Sequence, residues 1–97
     1  MHLKSTSKTL HRTNNEALYS IRYHNTIVLS FDKLNNAITL KTDGWETMNT
    51  AKSMTIGLEE AGIEAHVECR NNKKEQGLFL VINGNRHKVY NGMTINL

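Results

Sequence analysis

His66 and Glu68 form an H-x-E unit with Cys69 directly after it. In zinc deaminases such a histidine helps hold the metal while the glutamate moves protons, but that chemistry also needs a P-C-x-x-C half. This chain has one cysteine and no proline. On a strand, His66 and Cys69 would point to opposite faces, which also argues against a cysteine–histidine nucleophile pair. There is no G-x-x-x-x-G-K-[ST] phosphate loop, no H-E-x-x-H helix and no G-x-S-x-G elbow. The five histidines lie in separate segments without ligand spacing. The sequence therefore predicts a protein that is not an enzyme and uses neither cofactor nor metal, with Cys69 as a small apolar filler.

The stronger chemical signal is cationic. Arg70, Lys73 and Lys74 fall in one polar loop, Arg86, His87 and Lys88 follow an Asn-Gly turn, and Arg22 and Tyr23 share an early extended segment. If these groups converge, lysine and arginine would meet phosphates while an aromatic ring stacks on a base, or the same patch would meet an acidic groove on a protein. The net charge is +3, unevenly spread. Residues 1–22 carry four basic side chains and one acidic, residues 23–69 three and seven, and residues 70–97 five and one. The ends are basic and the middle is acidic, and no RNP aromatic pair, GXXG loop or helix-turn-helix pattern identifies a known nucleic-acid module.

The only tryptophan, Trp45, stands in DGWETMNTAK, between an expected strand and an expected helix. A large apolar ring just before a helix commonly staples the incoming chain to the first turn. We therefore expect Trp45 to be a mostly buried structural anchor, packed where the Leu40 strand meets the Met54 and Leu58 face of the helix, its loss costing about 3–5 kcal/mol. The competing reading is an exposed stacking platform. Thr50 and Lys52 at the helix start are a weaker candidate anion site, since first-turn N–H groups and an ammonium can hold an anion. Capping by Thr47, Asn49 or Thr50 explains the same residues.

These groups need a frame. A chain of 97 residues has room for one modest core. Residues 1–15 are polar and without periodicity and read as a flexible basic arm, leaving residues 16–97 as the domain. Ile27, Leu29 and Phe31 alternate with polar or opposite-face residues, and His24-Asn25 marks either a turn or a bulge. Asp32 to Asn36 is a turn cluster before Ile38 and Leu40. Then the period changes. Ala51, Met54, Leu58 and Ala61 make one helical stripe, which Gly62 is placed to end. Leu78, Leu80 and Ile82 line one face of a later strand, and Asn83-Gly84 and Asn91-Gly92 supply hairpin turns. The predicted fold is α+β, one amphipathic helix packed on a twisted antiparallel sheet of about five or six strands. No apolar run approaches the roughly 18 residues of a membrane span, and the N-terminal residues lack the apolar segment of a secretory signal.

Three stretches together resemble a class of small phage-encoded proteins of unassigned function. They are Tyr23-His24-Asn25-Thr26-Ile27-Val28, then Gly44-Trp45-Glu46-Thr47 with Thr50 and Lys52, and Asn91-Gly92-Met93. Asn49 and Ala51 interrupt that class's threonine run, and Asn91 replaces an acidic residue. The resemblance implies a phage origin and a role in the host cytoplasm, and it brings no catalytic residue with it. The first functional expectation is stoichiometric binding to a host protein that handles nucleic acid, in an anti-defence or host-takeover role. One alternative is a nucleic-acid-binding regulator using the basic ends. The other is a virion or assembly component forming homo-oligomers through an edge strand at Met93 to Leu97. No membrane partner is expected.

Overall fold

Alternation of apolar and polar residues, broken by turns that demand positive φ, sets most of the architecture. The computed structural model describes residues 10–97. In chain order its elements are β1 (Leu10–Asn14), β2 (Leu18–Tyr23), β3 (Thr26–Asp32), β4 (Ala37–Leu40), α1 (Met48–Glu60), β5 (Ala65–Asn71), β6 (Gln76–Ile82), β7 (Asn85–Lys88) and β8 (Met93–Asn96). The strands form two antiparallel sheets, one ordered β1-β2-β3-β4-β8 and one β5-β6-β7. The fold is α+β as expected, but with eight strands among the described residues in place of five or six, and two sheets in place of one.

Two features account for the difference. Leu10–Asn14 was assigned to the arm, yet it pairs along its whole length with β2. Only Leu10 of this strand is buried. An edge strand with one apolar side chain carries no periodicity to read. Of the other ten residues assigned to the arm, residues 1–9 lie outside the described residues, and Asn15 accepts from the Ala17 and Leu18 amides in the β1–β2 turn. The second sheet exists because α1 separates it from the first: the chain leaves the helix, returns beside it as β5 and builds its own meander before β8 rejoins β4.

The turns follow local chemistry. Asn83 and Gly84 both have positive φ, at 54° and 76°, the pair of values a type I′ hairpin requires. His24-Asn25 is a turn, with His24 at φ 57°, and a register shift lies nearby between Ile21 and Arg22. Asp32 accepts from the Leu34 and Asn35 amides and starts the β3–β4 turn. Thr47 is the helix N-cap, accepting from the Thr50 amide at 3.2 Å. At the other end Gly62 takes φ 79°, and its amide donates to Glu59 O while that of Ile63 donates to Leu58 O. This doubly bonded stop satisfies carbonyls the helix would otherwise strand.

The helix is buried on a wide arc because it has a sheet on each side. Ala51, Met54 and Leu58 of the expected stripe are buried, as are Thr50, Ser53, Ile56 and Gly57. Ile21, Leu29, Ile38 and Leu40 come from the larger sheet, and Leu78 and Leu80 from the smaller. Thr55 Oγ1 accepts from the Val67 amide at 2.9 Å and donates to Val67 O at 3.3 Å. One hydroxyl thus satisfies both backbone groups of Val67 on the open edge of β5, where an unpaired N–H and C=O would invite another strand. β8 forms an edge of the larger sheet, as Met93 to Leu97 was expected to. No helix among the described residues is long and apolar enough to cross a membrane.

Glu60 sits at the unfavourable end of the helix dipole, and the sheet answers it. Arg12 Nε donates to Glu60 Oε1 at 2.5 Å and Tyr19 Oη donates to the same oxygen at 2.6 Å. The Arg12 hydrogen bond, helped by that of Tyr19, holds the Glu60 carboxyl below the usual carboxylate range. Burial and the bond to Glu60 push the Tyr19 phenol up.

Two measurements check this frame. A Cβ on Gly57 would lie 2.6 Å from Leu29 Cδ2 and 2.8 Å from Ile21 Cγ2, so Gly57→Ala should lower stability by about 1–3 kcal/mol in urea unfolding despite alanine's better helix propensity. Because the Glu60 pKa is depressed in the fold, its contribution is present above the unfolded-state value of about 4.3 and lost as pH falls through the folded value. Glu60→Gln should therefore lower stability at neutral pH and make the acid-side decline shallower than in the wild type, as read from unfolding curves collected across that range.

Candidate functional site

A cleft opens where three segments meet: the β2–β3 turn, the corner after β4 and the start of α1. Its volume is about 460 Å³. Tyr23, His24, Asn25 and Thr26 form one wall, Thr42 and Trp45 another, and Thr47, Asn49 and Thr50 the third. Three aromatic rings and a set of hydroxyls and amides face the opening, and none of the lining side chains is an Asp, Glu, Lys or Arg. The Tyr23 and His24 rings lie 4.2 Å apart at 50°.

The corner has a specific cause. Asp43 and Gly44 both take positive φ, at 48° and 85°, and the Trp45 amide closes the turn onto Thr42 O at 2.8 Å. Asn91, in the turn before β8, accepts from the Thr42 and Asp43 amides at 3.0 and 3.2 Å. The Gly92 amide donates to Leu40 O. Opposite, Thr26 Oγ1 donates to Asp43 Oδ2 at 3.0 Å, so the β2–β3 turn and the corner are tied across the rim.

This overturns the expectation for Trp45. It is 67% exposed and stands at the mouth of the cleft, not under it. The doubly left-handed turn swings the indole outward. Leu40, Met54 and Leu58, its expected neighbours, are fully buried without it. The apolar-staple argument is sound only when the entering chain points inward, and here it does not.

At the weaker candidate anion site, the cap engages one of the two residues. Thr50 is buried, its amide donates to Thr47 Oγ1 and its hydroxyl shares a 3.1 Å hydrogen bond with Thr47. These groups are consumed by the cap. Lys52 is exposed on the helix.

The basic candidates do not form one patch. Arg22 and Tyr23 belong to the larger sheet, and Tyr23 turns into the cleft. Register places Arg70, Arg86 and Lys88 on the outer face of the smaller sheet with His66, Glu68 and Phe79, while His87 is in register with Leu80 on the opposite face. Lys73 and Lys74 are exposed in the β5–β6 turn, which Asn72 organises by accepting from the Lys74 and Glu75 amides.

That face is largely self-neutralised. Arg86 pairs with Glu75 through both terminal nitrogens and reaches Glu68 at 3.4 Å, and Arg70 reaches Glu68 at 3.1 Å. His66 Nε2 lies 3.3 Å from Glu68. The His66 hydrogen bond, with the arginines, holds the Glu68 carboxyl below its usual range, and Arg86 does the same for Glu75. Arg86 is in turn held protonated to higher pH by Glu75. Its guanidinium covers the Phe79 ring at 4.2 Å, with the Lys88 ammonium 5.0 Å from the same centroid. Lys88 also donates to Gln76 O. These are surface ion pairs of modest worth, but together they leave Lys73, Lys74 and His87 as the solvated basic groups of this region.

Reading the sequence did not single out His24, Asn25, Thr26, Thr42 or the bracing Asn91 as parts of a candidate site. The one available signal was the break at His24-Asn25, noted as a turn. Nothing local links it to Gly44-Trp45.

The position of Trp45 gives a direct test. Trp45→Ala should change stability by no more than about 0.5 kcal/mol, the range of surface substitutions, and the thermal midpoint should stay within a few degrees of the wild type.

No family model, curated protein or solved structure matches this chain.

Proposed function

We propose that this protein acts by stoichiometric binding, without catalysis, and that the cleft at Trp45 is its recognition site. The proposed target is a host protein that handles nucleic acid, engaged in the host cytoplasm in an anti-defence or host-takeover role. The observation that carries the reading is a large aromatic ring left 67% exposed at the mouth of a cleft of about 460 Å³. Tryptophan and tyrosine in a recessed site, ringed by polar side chains that exclude water, form the usual anatomy of a protein-binding hot spot. The resemblance to small phage-encoded proteins supports the host setting.

Charge supports a protein target over a nucleic-acid strand. A phosphate track needs cations free to replace counterions. Arg70 and Arg86 are instead paired with Glu68 and Glu75.

Tagged wild-type protein should capture one host protein at near-stoichiometric level from lysate, and Trp45→Ala should abolish that capture while keeping the wild-type melting temperature. Hot-spot truncations of this kind cost roughly 2–4 kcal/mol, enough to lose a micromolar complex in washing. Capture that survives the substitution would place the binding surface elsewhere, and capture that disappears after nuclease treatment would mean that a strand, not the protein, had been bound.

A further inference from the structure

The chemistry of the cleft and its rim narrows what can enter it. This argument rests on the binding reading above and concerns the group that the partner inserts. A charged side chain driven into a wall of rings, hydroxyls and amides with no opposite charge would lose its hydration without replacement. The body of the occupant is therefore uncharged, and the rings of Tyr23, His24 and Trp45 favour a flat aromatic one.

The rim adds a sign. Asp43 is held at the edge by the Thr26 hydroxyl, and among the described residues no Lys, Arg or His lies within salt-bridge distance of it. Glu46, on the other side of Trp45, turns toward the smaller sheet. Its Oε1 lies 2.9 Å from where a Cβ would stand on Gly77, a point the Lys88 ammonium also approaches. Of the two carboxylates that flank the tryptophan in sequence, Glu46 is thus turned away, and Asp43 stands at the rim without a cationic partner among the described residues. A nucleobase entering here would bring its phosphates against Asp43. An aromatic side chain next to arginine or lysine would bring a cation there instead.

We propose that the cleft receives an aromatic side chain flanked by arginine or lysine from the partner protein, the ring meeting Trp45 and Tyr23 and the cation meeting Asp43. Such aromatic–basic segments are what single-strand-binding surfaces present to bases and phosphates. The inserted segment would then come from the target's own nucleic-acid-binding surface, and occupation of the cleft would compete with the strand.

Trp45 is the only tryptophan, so its fluorescence, excited where tyrosine does not absorb, reports the site directly in the intact chain. The probes are capped Gly-Arg-Tyr-Arg-Gly, the same peptide with leucine for tyrosine or glutamates for arginines, and a short oligothymidylate. The expected result is a saturable change with the Arg-Tyr-Arg peptide, about tenfold weaker binding with leucine and about three- to fivefold weaker binding to Asp43→Asn. Asparagine tolerates left-handed backbone, so that variant keeps the turn, which an unchanged circular-dichroism melt verifies. Equal binding of the leucine or glutamate peptide overturns the proposal, as does tighter saturation by oligothymidylate. If no peptide saturates the signal while lysate capture still depends on Trp45, this inference fails and the binding reading stands. If capture itself fails to depend on Trp45, both fall.

Discussion

The approach of α1 to the larger sheet at Gly57 is the constraint on which the other distances depend. With only a hydrogen there, the helix settles against Ile21 and Leu29 at a separation where even a methyl group would force those side chains to shift. That leaves its opposite side free to carry the second sheet. A helix buried on one stripe needs one apolar face; this one has sheets on both sides and accordingly buries small residues, Thr50, Ala51, Ser53 and Gly57, around the larger Met54, Ile56 and Leu58. The hydroxyls among them are satisfied at short range, Ser53 donating to Asn49 O and Thr50 sharing a hydrogen bond with Thr47. Polar groups can be this deep only because each has its partner.

The corner lies beside that packing. The helix start and Val28 line one cleft, and the link from β4 climbs out at its mouth. Asp43 and Gly44 make the climb in two left-handed residues. Glycine adopts that conformation freely, and aspartate is among the few other residues that do so at small cost. The turn they make leaves Trp45 in solvent.

What could be read from the residues alone divides along the range of the interactions. The Ala51–Met54–Leu58 stripe and the Asn83-Gly84 hairpin are local: the first is a period and the second a φ requirement, and both are fulfilled. β1 was invisible because four of its five residues face solvent, so pairing with β2 leaves no apolar trace. The direction of Trp45 depends on two φ angles and on Asn91, far along the chain, and no hydrophobicity argument contains either. The basic cluster is the most instructive case. Its residues were legible one by one, but not the second sheet that carries most of them, and a segment-by-segment charge count assigns Glu68 to an acidic middle and Arg86 to a basic end. In space Glu68 lies between Arg70 and Arg86, and the apparent polarity of the chain dissolves where the strands pair.

Asn91 also bears on how a site of this kind can bind strongly from a small domain. Association costs conformational entropy for every group it must immobilise. Here the outward-facing ring is carried by a turn whose two preceding amides are held by the Asn91 side chain, whose own amide is bonded to Thr42, and whose rim is tied to the facing hairpin through Thr26 and Asp43. The backbone under Trp45 is therefore already ordered before any partner arrives, leaving chiefly the indole's two side-chain torsions to restrict. Burying a ring of that size on a prepared support yields more net affinity than the same area on a mobile loop, because less of the gain is offset by ordering. The bracing comes from the turn before β8, and so the corner that carries Trp45 is completed only when that last strand has joined the sheet.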